Sequence, residues 1–365
     1  MHVGMSVIFQ NPEDARPDAD VYRDDLALAK QAEGLGFESI WSVEHHFTDY
    51  TMCPNVMQFL TYMAACTEKI QLGSMVCVLP WQDPLRVAEQ VAMLDVMSEG
   101  RVILGMGRGT GRVEFDGFRV AMPEARGRFA ESAEMILTGL ETGVCEYDGE
   151  FVRQPAVSIR PKPTKSFRGR AYAAAVSPES AEIMAKMGVG LLIIPQKPWH
   201  LVRDELQAYR STYREATGEE PPPPYVAGWT FVDDSMDRAE ELARKYIGGY
   251  WNTVIKHYEF DQDHLMNTPG YEFHGQMYDM LTAPGGVEKM IDFFVGIQVW
   301  GTPERVIERI TEIQDNTHAD AYMAVFSYAG MPHEEADRNM KLFASDVMPT
   351  LQAMSPSYDR LGVPT

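Results

Sequence analysis

The sequence predicts one α/β domain over 1–365, a (β/α)8 TIM barrel with a hairpin insertion at about 144–163 and a lid-like insertion at about 258–286. Short β-rich runs alternate with longer amphipathic stretches, the pattern of parallel strands joined by crossover helices rather than of a sandwich. Eight strand-like runs can be counted, and 365 residues with 45% hydrophobic content can bury one large core. The residues best suited to chemistry also fall just past strands, which in a barrel collects them on one face.

The elements follow in order. A strand over 3–9 leads to a helix over about 19–33, which stops at Gly34-Leu35-Gly36, where glycine accepts the left-handed cap. The second strand covers 39–43 and the third 70–79. Asp83 as N-cap with Pro84 at the first helical position then starts a helix. After the fourth strand, 101–107, Phe129, Ala133, Ile136, Leu137 and Leu140 recur at helical spacing and mark one buried face. The run 144–152, with Asp148-Gly149 between its halves, reads as a hairpin and the proline-rich stretch to Pro163 as its exit loop. Strands over 171–176, 191–194 and 225–232 precede helices starting at Pro178, Trp199 and Ser235. The prolines 221–224 read as a stiff loop, because the alternation continues on both sides. Segment 258–286 is polar, aromatic and aperiodic, as lids are. Thr302-Pro303 caps another helix, 321–328 is the eighth strand, and 334–347 is the last helix.

Charge and composition exclude several classes. Lys plus Arg number 32 against 53 Asp plus Glu, a formal charge of −21 that repels nucleic acid and anionic membranes. The start Met1-His2-Val3-Gly4-Met5 has no basic region before an apolar core, and no apolar run could span a bilayer, so a cytosolic protein is expected. The four cysteines form no CxxC pair, which leaves reduced thiols as the expectation.

Three clusters carry chemistry. Glu44-His45-His46 follows the second strand, and two imidazoles beside a carboxylate can move protons near neutral pH, bind a metal, or form a structural corner. No HExxH motif is present, and adjacent histidines on a loop need further histidines to hold one ion, so no metal is assigned. The run from Gly105 to Gly111, with Gly107, Arg108 and Gly109 at its centre, suits a phosphate cradle or an ordinary glycine-rich turn. It matches neither the dinucleotide fingerprint nor the Walker loop. Ser177 and Ser180 open a helix, where hydroxyls and free amides bind phosphate or merely cap. One anion site with one arginine suits a monophosphate such as that of FMN better than a dinucleotide.

With these pieces the chain resembles the bacterial luciferase-like flavin-dependent monooxygenase family. The likeness rests on SIWSVEHHF at 39–47, LGSMVCVLPWQDP at 72–84, RVAEQVAMLDVMSEGRVILGMGRGTG at 86–111 and SPESAEIMAKMG at 177–188. The resemblance implies a barrel, a homodimer or paired with a related subunit, that takes FMNH2 from a separate flavin reductase. It also implies use of O2, through a flavin C4a-(hydro)peroxide, to oxygenate a small apolar organic substrate, with a ketone or aldehyde favoured. His45 matches the catalytic histidine and Glu44 the neighbour expected to orient it, while His46 is the other candidate proton carrier. Arg108, Ser177 and Ser180 match phosphate-holding positions, and Met75-Val76 matches a non-prolyl cis peptide beneath the flavin ring. Gly107 stands where light-emitting members carry a reactive cysteine, so light emission is not expected. The alternatives are a deazaflavin (F420)-dependent dehydrogenase on the same barrel and a non-enzymatic flavin-binding protein.

Overall fold

A computed structural model describes residues 1–175 and 178–356, apart from the side chains of Pro178 and Phe273. Its strands are β1 (His2–Val7), β2 (Ser39–Ser42), β3 (Gln71–Ser74), β4 (Val102–Gly107), β5 (Ala171–Ala174), β6 (Gly190–Ile193), β7 (Tyr225–Val232) and β8 (Ala321–Val325). Each pairs in parallel with the next, and β8 returns to β1 with Met5 opposite Ala324, so the eight close into a barrel. Closure removes free strand edges. Trp41, Ile103, Tyr172, Leu192 and Met323 fill the interior. Small residues on neighbouring strands make the room: a Cβ on Gly73 would stand 2.2 Å from the Trp41 ring, and one on Gly105 would stand 1.9 Å from the Ser74 carbonyl oxygen.

Twelve helices connect or follow these strands. They are α1 (Asp18–Leu35), α2 (Val56–Cys66), α3 (Pro84–Met97), α4 (Arg112–Phe118), α5 (Ala125–Thr142), α6 (Pro178–Lys186), α7 (Trp199–Thr217), α8 (Met236–Tyr258), α9 (Glu272–Thr282), α10 (Gly286–Ile297), α11 (Pro303–Thr317) and α12 (His333–Leu342). The capping chemistry read from sequence is present. Gly36 ends α1 at φ +96°, Asp83 accepts from the amides of Leu85 and Arg86, and Ser235 and Thr302 cap α8 and α11. Among the described residues no helix is long and apolar enough to cross a membrane.

The differences from expectation have local causes. The third strand stops at Ser74, the Met75–Val76 peptide that follows is cis, and the short strand Cys77–Val78 then pairs with β4. The hairpin runs further than expected, pairing Val144–Asp148 with Arg153–Ser158. Its turn lies over 149–152, where the Glu131 carboxylate accepts the amides of Glu150, Phe151 and Val152. The segment 258–286 is not structureless: α8 extends to Tyr258, turns follow, and α9 fills much of the remainder. Strand Val299–Gly301, only three residues long, pairs with β7 and gave no sequence signal. The last helix is interrupted after Leu342 by a π-turn over Phe343–Val347.

Candidate active site

The C-terminal ends of the strands open onto one cavity. Glu44 and His45 reach it from β2, Met75 and Val76 from beyond β3, Gly107, Arg108 and Gly109 from β4, and Ser180 from the first turn of α6. The sequence clusters are thus brought together, except that Ser177 lies outside the described residues. His46 does not line the cavity. Its ring packs edge-on against Phe118 at 4.6 Å, and its Nε2 donates to Glu44 Oε1 at 3.3 Å.

Glu44 does not orient His45, contrary to the expectation from sequence. Its Oε1 accepts from Trp81 Nε1 and Gln82 Nε2, each at 2.8 Å, and its Oε2 from the Val78 amide at 3.2 Å. Four donors, three on Oε1 and one on Oε2, hold that carboxylate against the turn after β3. His45 instead turns toward α4, where its Nδ1 donates to Glu114 Oε1 at 2.9 Å. The His46 amide donates to the same oxygen, also at 2.9 Å. With Nδ1 carrying the proton, Nε2 of His45 keeps its lone pair, 3.4 Å from the Tyr258 hydroxyl.

Glu114 is wholly buried in the first turn of α4, where the helix N-terminus favours negative charge. Burial is the largest influence and raises its pKa, but His45 and His257 together outweigh it, so the carboxyl is held well below the usual range. His257, at the end of α8, places Nε2 3.7 Å from Glu114 Oε2. Burial in turn lowers the His257 pKa. The donor atoms of His45, Glu114 and His257 lie within 4.8 Å of one another, so the additional histidine that a metal site would need is supplied from a distant part of the chain. Gly111 runs beside them, where a Cβ would stand 2.7 Å from Glu114 Oε2 and 3.0 Å from His257 Nε2. At 3.7 Å Glu114 Oε2 and His257 Nε2 do not close a hydrogen bond, and each is buried without a partner among the described residues.

At the other end of the cavity the charge is positive. Arg108 lies over the Tyr271 ring at 4.1 Å, its Nη1 is buried without a hydrogen-bond partner among the described residues, and burial lowers its pKa, with Arg126 adding to the effect. Tyr271 is anchored by its hydroxyl to the Gly109 carbonyl at 2.9 Å. Arg126, which carried no signal in the sequence, lines the same cavity; its Nη2 donates to Glu179 at 2.9 Å while its Nε is buried and has no partner among the described residues. Gly107 lies against the cis peptide, since a Cβ there would stand 2.2 Å from Val76 Cγ2. Ile8, Trp229, Trp251 and Phe260 give the remaining wall an apolar character.

Fold and cavity define a (β/α)8 protein whose main described cavity opens at the strand C-terminal ends, the face where such barrels bind their ligands. The model of the luciferase-like monooxygenase family matches residues 1–319, so the chain belongs to this family and is an enzyme of its flavin-dependent monooxygenase class. It is 28% identical over 334 residues to the alkanal monooxygenase alpha chain of Photorhabdus luminescens, covering 90% of this chain and 91% of that one. Among solved structures it is similar to monooxygenase RslO1 from Streptomyces bottropensis, with TM-score 0.80, 25% identity and coverage of 96% and 99%. The oxygenating constituent of 3,6-diketocamphane monooxygenase from Pseudomonas putida, in complex with FMN, shares the fold at TM-score 0.74 and 17% identity, with coverage of 96% and 98%.

Because the folded pKa of Glu114 is depressed, its ionisation stabilises the protein above the ordinary carboxylate range and that contribution is lost as pH falls. Urea midpoints should therefore separate wild type from Glu114→Gln most at pH 7, and the gap should shrink below about pH 4.5. A gap that widens with acid would contradict an ionised Glu114.

Proposed function

We propose that the protein is the oxygenating component of a two-component system, taking FMNH2 from a separate flavin reductase and using O2 to oxygenate a small apolar organic substrate, with a ketone or aldehyde favoured. The observation that carries this reading is a single cavity with Arg108 Nη1, buried and without a hydrogen-bond partner among the described residues, at one end and the base-ready Nε2 of His45 at the other. A buried arginine nitrogen without a partner is costly unless an anion completes it. Arg108, Arg126 and Ser180 would hold the phosphate of FMN, with Gly107, Gly109 and the Met75–Val76 peptide against its ring. Two arginines and a hydroxyl match one phosphate, and a solved relative of the same fold binds FMN. When bound, reduced FMN supplies the two electrons with which O2 is activated and one oxygen atom delivered to substrate.

The chain's own residues supply position, proton control and dryness. Glu114 keeps the His45 proton on Nδ1, so Nε2 can accept a proton and return it, with the Tyr258 hydroxyl beside it. Transfer by a positioned imidazole contributes about 10²–10⁴ in rate. The apolar wall and the segment after α8 keep water from the reacting atoms. A cytoplasmic homodimer, or a pairing with a related subunit, accompanies this reading. An F420-dependent hydride transfer on the same barrel is the competing one. Chemically reduced FMN mixed with aerated protein and a ketone or aldehyde panel separates the two, since the oxygenase consumes O2 with product and the dehydrogenase does not.

His45→Ala should lower oxygenation by about two to four powers of ten while FMN affinity stays nearly unchanged. Turnover retained within a few fold would remove His45 from the mechanism. Arg108→Ala should weaken FMN binding by about 1.5–3 kcal/mol in a fluorescence titration, the scale of a charge-assisted hydrogen bond. Equal affinity in wild type and variant would rule out the phosphate site.

A further inference from the structure

We infer that His45, Glu114 and His257 form a binding site for one divalent transition ion of the zinc class, held through His45 Nδ1, the Glu114 carboxylate and His257 Nε2. The donors come from three separate elements: the loop after β2, the first turn of α4 and the last turn of α8. One donor atom from each lies within 4.8 Å of the others. The carboxylate stands between the rings, with Oε1 2.9 Å from His45 Nδ1 and Oε2 3.7 Å from His257 Nε2. Donors about 2.0–2.1 Å from a tetrahedral zinc are about 3.3 Å apart, so these two separations bracket what the ion requires.

Two further observations point to a ligand. Glu114 and His257 are 0% and 4% exposed, yet Glu114 Oε2 and His257 Nε2 have no hydrogen-bond partner among the described residues. A buried carboxylate oxygen and a buried ring nitrogen left unmatched are costly, and one cation satisfies both. Gly111 flanks the same two atoms, and any other residue would press a Cβ to within 2.7 Å of Oε2 and 3.0 Å of Nε2. Its φ of −69° suits every residue type, so the want of a side chain serves the donors and not the backbone.

The surroundings fit an ion as well. Thr48 Oγ1 lies 2.9 Å from His257 Nδ1; with Nδ1 donating to it, the Nε2 lone pair faces Glu114. Among the described residues no Lys or Arg pairs with Glu114, while Arg112 on α4 and Lys256 on α8 are held by Glu259 and Asp49. His45 and Glu114 line the main cavity, which gives an ion its way in. Two imidazoles to one carboxylate select a zinc-like ion over Mg²⁺ or Ca²⁺, which take oxygen ligands. An ion on Nδ1 of His45 replaces the proton there, and the neutral ring then carries its proton on Nε2, so the metal-bound histidine is not a base. That consequence rests on His45 being the proton carrier, whereas the site does not.

The test uses the whole chain, stripped with a chelator and free of flavin. Zn²⁺ is titrated against a chromophoric chelating indicator, and Co²⁺ is followed by its visible absorption. Wild type should hold one equivalent of Zn²⁺ that an excess of Mg²⁺ does not displace. His257→Leu and Gly111→Ala should each weaken binding by about 100-fold or more, and Thr48→Val by about 10–100-fold. Gly111→Ala keeps all three donors and decides the matter if His257→Leu fails to fold. A wild type that takes up no Zn²⁺ overturns the inference, as does Zn²⁺ held equally by wild type and the folded variants. Zn²⁺ that binds as described yet leaves oxygenation unchanged upholds the site and removes His45 Nε2 from the mechanism, so the two readings fail separately.

Discussion

A carboxylate sealed from water has to be matched by donors, and the ionised Glu114 side chain imposes that requirement on the whole catalytic end of the barrel. Its Oε1 gathers the His45 ring and the His46 amide, its Oε2 faces His257, and the start of α4 adds favourable amide dipoles. Removing one partner from such a buried group typically costs about 3–5 kcal/mol, enough to keep the arrangement rigid. Rigidity is what the chemistry needs. Because Nδ1 of His45 is committed to the carboxylate, Nε2 has one direction left, into the cavity beside Tyr258.

The opposite end of the cavity answers to the opposite charge, and the two ends are joined by one short stretch of chain. Strand β4 ends in Gly107, Arg108 follows, and the glycine run then leads through Gly111 into α4 with Glu114. Anion receptor and histidine partner therefore ride on the same strand-to-helix connection, so their separation cannot change without refolding the loop. The segment beyond α8 closes over both. Glu259 holds Arg112 through two contacts at 2.8 and 2.6 Å, and Tyr271 lies beneath Arg108. The loop that builds the site is also the one the cover fastens to.

Much of the fold was legible because barrel strands are short, flat runs of buried residues separated by well-marked caps. Asp83-Pro84, Ser235 and Thr302 announced their helices through side-chain chemistry that depends only on local sequence. Glu44, His45, Arg108 and Ser180 could be grouped since each follows a strand. What was not legible depends on distance in the chain. Glu114 lies 69 residues from His45, and nothing nearby distinguishes it from the surface acid common in a first helical turn. Tyr258 was folded into a supposed lid, and His257 beside it carried no signal, because their helix ends in aromatic and polar residues rather than at a glycine. The role expected of Glu44 failed for a simple reason: adjacency in sequence does not make two side chains on a loop face each other, and Trp81 and Gln82 offered it better donors.

The charge state of Glu114 is the point on which this account stands, and infrared spectroscopy reads it directly. A difference spectrum at neutral pH between wild type and Glu114→Gln, with ¹³C-labelled glutamate to mark the band, should contain the antisymmetric stretch of a carboxylate. A carbonyl stretch of a protonated carboxylic acid in its place would mean that no negative charge holds His45, and the arrangement described above would lose its cause.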